Sequence, residues 1–253
     1  MAADIAARWP LLRRVFTFEA PGAAPPPYGG VATDPSGCHY FPLDSVDAPP
    51  EAALAQRADR VAFLLLSDDT TTAPKLVPRT HDDYAYQARA AAELVPLTEN
   101  DVYLAALPAG SNCTFGCPGI VGILSVGGTV VLVENPGPAE CLPLIERERV
   151  TITSLVPAVA RLWRDALPTV RADMTSLRLV QIRGTGPDGA TAGPTAPGGG
   201  CRLQQVFDTA EGPLTLTRPS DPDETVLATQ GRPLSPDGIP PRRERRGFLQ
   251  DSR

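Results

Sequence analysis

The sequence predicts an α/β fold in which a mostly parallel β-sheet is flanked by helices. From Val61 onward, short apolar strands alternate with helices of about ten residues, the pattern of strand–helix–strand units. A hydrophobic content of 42% in 253 residues is enough for a globular core. We therefore expect an α/β domain at residues 61–233, a weakly structured segment at 1–60 and a disordered basic tail at 234–253.

Local patterns and caps define the predicted elements. The apolar run from Val61 to Leu66 predicts a first strand buried on both faces. Thr80 with Asp83 begins a helix that extends to about Val95, because a threonine side chain can cap the first turn. The later strands are predicted at 102–107, 129–134, 151–156, 177–183, 202–207 and 214–217. The later helices are predicted at 118–126, 139–149 and 157–167.

Composition excludes several classes of protein. The formal net charge of −6 gives no positive field that would attract nucleic acid. No apolar run reaches the roughly 20 residues of a membrane span, and the N-terminus lacks the apolar core of a signal peptide. The five cysteines follow no disulfide framework, which indicates a reducing compartment. We expect a cytoplasmic protein without a nucleic-acid or membrane partner.

A candidate phosphate-binding loop follows the first strand. Its hydroxyl side chains and backbone N–H groups could surround an anion that a lysine neutralises. The stretch SDDTTTAPK resembles the S-G-G-T-T-G-T-P-K signature of adenylate-forming enzymes, and the overlapping PKLVPRTHDDY resembles their aryl-acid branch, the 2,3-dihydroxybenzoate and salicylate AMP ligases. The resemblance implies part of the large N-terminal domain of these enzymes and the use of ATP and Mg²⁺. The candidate phosphate-loop residues are Ser67, Thr70, Thr71, Thr72 and Lys75, although Thr72 stands where the signature has a glycine and Ala73 where it has a threonine.

The loop departs from the family pattern at two acidic positions. Asp68 and Asp69 stand where the signature has glycines, which allow the backbone to approach a phosphate closely. A carboxylate about 4 Å from a phosphate charge costs roughly 4 kcal/mol at an effective dielectric constant near 20. We therefore expect the triphosphate to bind weakly.

Two further segments resemble the aryl-acid branch. The segment at 106–119, ALPAGSNCTFGCPG, resembles P-A-A-H-N-Y-x-x-S-S-P-G, which implies that Asn112 hydrogen-bonds a ring hydroxyl of the acid and that Gly116 lines the pocket. An alternative for Asn112 is a residue that shapes a turn. In the segment at 177–189, Arg183 stands where the family has a glycine lining the pocket, and the match implies that Gly184, which follows it, belongs to the aryl-acid-binding residues.

The segment at 204–212, QQVFDTAEG, resembles the motif Q-Q-V-F-G-M-A-E-G. The match implies that Phe207 lies near adenine and that Glu211 holds Mg²⁺. Asp208 replaces the glycine and Thr209 the methionine, which adds another carboxylate beside the anion site.

Other chemistries have weaker support. Gly184, Gly186 and Gly189 form G-x-G-x-x-G, but the proline-rich stretch that follows cannot open the helix that a dinucleotide site needs. Cys113 and Cys117 are expected to be buried thiols rather than nucleophiles.

The resemblance also implies features for which this sequence has no match. Neither the T-G-D motif nor the small C-terminal domain with the catalytic lysine follows Pro233, so we expect no catalytic residue here. We predict a truncated aryl-acid AMP ligase homologue, impaired in the ATP-dependent acid activation that serves siderophore or nonribosomal peptide synthesis. One alternative is a split or residual ligase that needs a separate C-terminal domain. The other is a non-catalytic module that binds an aryl acid or an aryl carrier protein.

Overall fold

The structure is a computed structural model that describes residues 14–17, 32–33, 37–47, 57–67, 75–184 and 200–234. The chain divides into two compact units, Met1–Ala55 and Gln56–Arg253. Most of the predicted phosphate loop, at 68–74, lies outside the described residues, as do residues 185–199 and the predicted tail from 235 onward.

The first unit contains a small sheet of three strands. These are β1 (Arg14–Thr17), β2 (Ala32–Thr33) and β3 (His39–Pro42), in the order β1-β3-β2, and a 3₁₀-helix at Leu43–Ser45 follows β3. Strand β1 is parallel to β3, and β2 is antiparallel to it. The rings of Phe16 and Phe41 stack across the β1–β3 pair with their centroids 5.5 Å apart.

The second unit contains a seven-stranded sheet that confirms the predicted α/β fold. The sheet strands are β6 (Val102–Ala105), β7 (Thr129–Leu132), β8 (Ile152–Leu155), β9 (Leu179–Arg183), β10 (Arg202–Asp208), β11 (Leu214–Leu216) and β12 (Arg232–Pro233). They run in the order β12-β11-β10-β9-β8-β6-β7. The five strands from β10 to β7 pair in parallel, whereas β11 and β12 add two antiparallel pairings at one side.

Helices connect these strands. They are α1 (His81–Leu94), α2 (Asn112–Gly116), α3 (Gly119–Ser125), α4 (Pro138–Glu148), α5 (Pro157–Val170) and α6 (Asp223–Ala228). Helix α1 begins as predicted, because the Thr80 hydroxyl accepts a hydrogen bond from the Asp83 N–H at 3.4 Å. Helices α2 and α6 were not predicted. Helix α2 is short, and Ser111 caps it by accepting from Thr114 N–H at 3.3 Å. None of the helices in the described ranges is long and apolar enough to cross a membrane.

The core lies on both faces of the parallel strands. Successive strand residues point to opposite faces, so Leu104 of β6 packs with Trp163 and Leu142 from α5 and α4. Its neighbour Tyr103 packs with Ile123 of α3 on the other face. Coverage of both faces by helices explains the apolar character of the central strands.

The first predicted strand has a different setting from the one expected. Strand β4 (Val61–Leu66) pairs with β5 (Leu76–Thr80) in a separate two-stranded antiparallel sheet. Leu65 is buried, whereas Leu64 and Leu66 are more than half exposed. The prediction of a strand buried on both faces is therefore wrong. An apolar run sets the length of a strand, but the number of covered faces depends on tertiary packing.

An ion pair between Arg178 and Asp101 lies at the amino edge of the sheet. Arg178 donates to both carboxylate oxygens of Asp101, at 2.8 and 3.0 Å, and the Thr151 hydroxyl donates to Asp101 at 2.7 Å. Burial alone would raise the pKa of Asp101, but the hydrogen bonds from Arg178 and Thr151 hold this pKa below its ordinary value. The hydrogen bonds from Arg178 and Thr151 therefore stabilise the ionised carboxylate of Asp101.

Candidate functional site

Three of the motif segments meet at the carboxyl edge of the parallel strands. Strand β9 ends at Arg183 and β10 at Asp208, and α2, which begins at Asn112, follows β6. The carboxyl ends of parallel strands are where open α/β sheets bind ligands. The topology therefore joins Asn112 and Asp208, which are 96 positions apart in the chain.

Asp208 is the charged centre of this cluster. Its side chain has 0% exposure, and Arg183 Nε donates to its Oδ1 at 2.6 Å. Asn112 Nδ2 donates to the other oxygen, Oδ2, at 3.0 Å. A buried carboxylate is tolerated only when it is paired and hydrogen-bonded, and both conditions are met here.

The side-chain amide of Asn112 has a protein partner at each of its four hydrogen-bonding positions. Nδ2 donates to Asp208 and to the Thr209 carbonyl oxygen at 3.3 Å. Oδ1 accepts from Tyr84 Oη at 3.0 Å and from Gln87 Nε2 at 3.3 Å. An amide offers two donor hydrogens and two acceptor lone pairs, so this one is fully used. A ring hydroxyl could bind Asn112 only by replacing one of these groups.

Helix α1 and the end of β5 supply a polar row that the sequence analysis missed. Arg79 is only 1% exposed and donates to Asp83 at 2.5 Å and to Gln87 Oε1 at 2.9 Å. It also donates to the Ala210 carbonyl oxygen at 3.4 Å, next to Glu211. Asp83 and Gln87 are four residues apart and therefore lie on one face of α1, which was the available signal, and Arg79 reaches them from the end of β5. Arg79 thus ties the turn after β10 to α1.

Gly116 leaves room for the ring of Tyr84. A Cβ atom added at Gly116 would lie 2.5 Å from Tyr84 Oη and 2.6 Å from ring carbons Cε1 and Cζ. The ring is held at its edge by Phe63, with centroids 4.6 Å apart, and Arg79 lies 5.0 Å from its centroid. Burial raises the pKa of Tyr84 far above its ordinary value, so its hydroxyl remains a hydrogen-bond donor.

A row of buried polar side chains crosses the sheet below α2. Ser154 donates to Gln181 at 2.8 Å, Gln181 to Gln204 at 2.8 Å, and Gln204 to the Thr217 carbonyl oxygen at 2.7 Å. Gln181 also donates to the Cys117 carbonyl oxygen at 3.1 Å. This bond attaches the end of α2 to the sheet and so helps to fix Asn112.

The two described ends of the predicted phosphate loop close a hairpin. Ser67 N–H donates to the Lys75 carbonyl oxygen at 2.8 Å, and Lys75 N–H donates to Ser67 Oγ at 3.0 Å. Ser67 is buried and uses its hydroxyl in this closure, whereas Lys75 is exposed. The predicted loop residues Thr70, Thr71 and Thr72 lie outside the described residues, as do Asp68 and Asp69.

The predicted nucleotide-facing residues lie at the end of β10. Phe207 is 38% exposed, and Glu211 is exposed in a turn that is closed by Thr209 N–H donating to the Pro213 carbonyl oxygen at 3.1 Å. Gly184 follows Arg183 with a φ of +102°, a conformation that favours glycine.

Glu211 is the residue that the sequence resemblance predicts as a Mg²⁺ ligand. In the described ranges, no group of three His, Cys, Asp or Glu residues could hold a metal by itself. A single exposed carboxylate fits Mg²⁺, since this ion binds through one or two carboxylates together with substrate phosphates.

The two cysteines of this segment are buried thiols, as predicted. Cys113 and Cys117 have 0% exposure. Burial raises the pKa of Cys113 to about 12, so the thiol is neutral near pH 7. Neither side chain therefore provides a nucleophile.

Comparison with known proteins agrees with this architecture. Residues 20–239 match the family model described as AMP-binding enzyme. The chain belongs to this family. It is 48% identical over 196 residues to "Pyochelin synthase PchD" of Pseudomonas aeruginosa, covering 78% of this chain and 36% of the relative. It is 44% identical over 197 residues to the "2,3-dihydroxybenzoate-AMP ligase" of Bacillus subtilis, again covering 78% and 36%.

The fold of this chain also agrees with that of a solved structure. The apo structure of Mycobacterium smegmatis MbtA matches with a TM-score of 0.67 and 45% identity, covering 76% of this chain and 35% of that chain. The predicted membership of the adenylate-forming enzymes and the likeness to aryl-acid AMP ligases are confirmed. The chain spans about a third of the length of the curated relatives it matches.

Proposed function

We propose that this chain forms the acid-binding and adenine-facing part of an aryl-acid AMP ligase. The reaction joins an aryl carboxylate to the α-phosphate of ATP, which gives an aryl adenylate and releases pyrophosphate. The main support is that three separate segments with ligase-like sequence, at 106–119, 177–184 and 204–212, meet at the carboxyl edge of one sheet. A hydroxylated benzoate is the substrate class, by similarity to the 2,3-dihydroxybenzoate-AMP ligase.

The chain's own residues have distinct roles in this proposal. Asn112 would bind the acid by exchanging one of its protein partners, Gly116 would line the pocket beside Tyr84, and the partly exposed ring of Phe207 would stack near adenine. Lys75 and Glu211 are both exposed and would contact the polyphosphate. When bound, Mg²⁺ would neutralise phosphate charge, and Glu211 would hold it. These residues would place the carboxylate for in-line attack, so catalysis would come from positioning and charge neutralisation.

We further propose that ATP binds weakly and that the chain alone adenylates acids poorly. Asp68 and Asp69 bring two negative charges to the loop between Ser67 and Lys75. At about 4 Å from a phosphate charge, each carboxylate would cost roughly 4 kcal/mol at an effective dielectric constant near 20. One lysine at the base of the loop offsets only part of this repulsion. An aryl carrier protein that accepts the acyl group would be the partner.

Pyrophosphate exchange and ligand-induced thermal shifts test this function together. The chain is assayed with ATP and Mg²⁺ and with salicylate, 2,3-dihydroxybenzoate or benzoate, which lacks a ring hydroxyl. We expect salicylate or 2,3-dihydroxybenzoate to raise the melting temperature more than benzoate, together with weak exchange. A shift with the acids and none with ATP would favour the non-catalytic binding module. No shift and no exchange with any acid would contradict the proposal.

A further inference from the structure

We propose that Asp208 is a specificity-determining residue that occupies, as an internal ligand, the position of an acid's carboxylate. This inference rests on the proposed function, because the ligand with which Asp208 would compete is an aryl acid. Asp208 would then set how tightly the site accepts carboxylic acids.

The surroundings of Asp208 have the chemistry of a carboxylate-binding site. Arg183 supplies a guanidinium N–H to one oxygen at 2.6 Å, and Asn112 supplies an amide N–H to the other at 3.0 Å. A cation and a neutral N–H donor, one to each oxygen, form a strong arrangement for a bound carboxylate. The carboxylate found there belongs to the protein itself and is fully shielded from solvent.

This internal contact also uses the amide that would read the acid. Asn112 Nδ2 is shared between Asp208 and the Thr209 carbonyl oxygen, and Oδ1 is held by Tyr84 and Gln87. An incoming acid must therefore displace Asp208 to reach Arg183 Nε or the Nδ2 hydrogen that Asp208 accepts. Because Asp208 is tethered to β10, its effective concentration at this position is high, and a free acid competes poorly.

Removal of the Asp208 carboxylate should open the position. Charged hydrogen bonds contribute enough free energy that their release to a ligand should improve affinity by about tenfold or more. The Asp208→Ala variant creates space and leaves to a ligand the two donors that bind Asp208 in the wild type, Arg183 Nε and one Asn112 Nδ2 hydrogen. The Asp208→Asn variant removes the charge but still fills the space, so its affinity for an acid should lie between those of the wild type and Asp208→Ala. It also provides a variant of nearly native shape if the alanine variant does not fold.

The matched control is Asp101, the arginine-paired buried carboxylate at the amino edge of the sheet. Asp101→Asn and Asp101→Ala leave Arg178 without its carboxylate, so they test whether any exposed arginine attracts acids. We expect the control variants to bind salicylate with wild-type affinity.

The experiment measures salicylate affinity by calorimetry and the melting temperature with sodium acetate or sodium chloride at equal ionic strength. We expect salicylate to bind Asp208→Ala at least about tenfold more tightly than the wild type. Acetate, a small carboxylate, should stabilise Asp208→Ala relative to chloride and leave the wild type unchanged.

The outcomes separate this proposal from the proposed function. Equal salicylate affinity in the wild type and both Asp208 variants would overturn the internal-ligand role and leave acid binding intact. Acetate stabilisation of Asp208→Ala without any aryl-acid binding would support the internal ligand and count against the aryl-acid function. If salicylate binds neither the wild type nor the Asp208 variants and acetate does not stabilise Asp208→Ala, both proposals fail.

Discussion

The contact between Gly116 and Tyr84 allows a quantitative prediction for Gly116→Ser. The resemblance to the aryl-acid branch implies a hydroxyl residue at this position, so serine would be the family-like choice. In this structure the added Cβ would lie 2.5 Å from Tyr84 Oη and 2.6 Å from two ring carbons. Ordinary carbon contacts begin near 3.5 Å, so the ring would have to move by about 1 Å.

Tyr84 has little freedom to make this movement. Its ring contacts Phe63 and Phe115 with centroids 4.6 and 5.7 Å away, and its hydroxyl donates to Asn112 at 3.0 Å. Overpacking of this kind costs about 1–3 kcal/mol, and loss of the hydrogen bond to Asn112 adds about 1 kcal/mol. The better helix propensity of serine returns only about 0.5 kcal/mol. We therefore expect the free energy of unfolding to fall by about 2–3 kcal/mol.

Urea denaturation of Gly116→Ser and of the control Gly110→Ser measures this effect. A Cβ atom at Gly110 meets no described atom within 4 Å, so the control should change stability by less than about 0.5 kcal/mol. In a double-mutant cycle, Tyr84→Ala should cost less in the Gly116→Ser background than in the wild type. If Gly116→Ser is as stable as Gly110→Ser, or the cycle shows no coupling, the proposed packing of Tyr84 against Gly116 is refuted.

Three further predictions concern charges elsewhere in the second unit. The pKa of Asp101 is lowered in the folded state, so the stability that its carboxylate contributes is present above its unfolded pKa and is lost as the pH falls through its folded pKa. The free energy of unfolding in urea should therefore drop less in acid for Asp101→Asn than for the wild type. Parallel plots of this free energy against pH for the two proteins would contradict the prediction. Arg79→Met should lower the free energy of unfolding, measured by urea denaturation, by about 3 kcal/mol, because it leaves the polar partners of Arg79 unpaired. A loss below about 1 kcal/mol would contradict the role of this buried arginine. Joint substitution of Asp68 and Asp69 by glycine should tighten ATP binding in calorimetry by about 10- to 1,000-fold, and unchanged affinity would show that repulsion is not the cause.

The sequence predicted those features of the fold that depend on local pattern. The start of helix α1 was located because its cap, Thr80 with Asp83, is encoded within a few residues. The setting of β4 could not be predicted in the same way, because burial of Leu64 or Leu66 depends on which other segments cover the hairpin.

The sequence predicted which positions belong to the candidate site but not which of its side chains hydrogen-bond to one another. The motif matches singled out Asn112, Gly116 and the segment at 204–212. They could not show that Asp208 pairs with Arg183, because this contact depends on the parallel register that places Val206 beside Arg183. They also could not show that the Asn112 amide is fully used, since two of its partners come from α1, at least 25 residues away in the chain.

The most direct measurement of the central claim is an amide NMR titration of the whole chain with salicylate and, in parallel, with benzoate. We predict that salicylate perturbs the amide signals of Asn112, Gly116, Gly184 and Asp208 at the carboxyl edge and leaves Asp101 and Arg178 at the amino edge unchanged. Benzoate should act at the same edge but more weakly. Perturbations that are absent, or that are spread equally over both edges, would contradict an aryl-acid site at the carboxyl edge of the sheet.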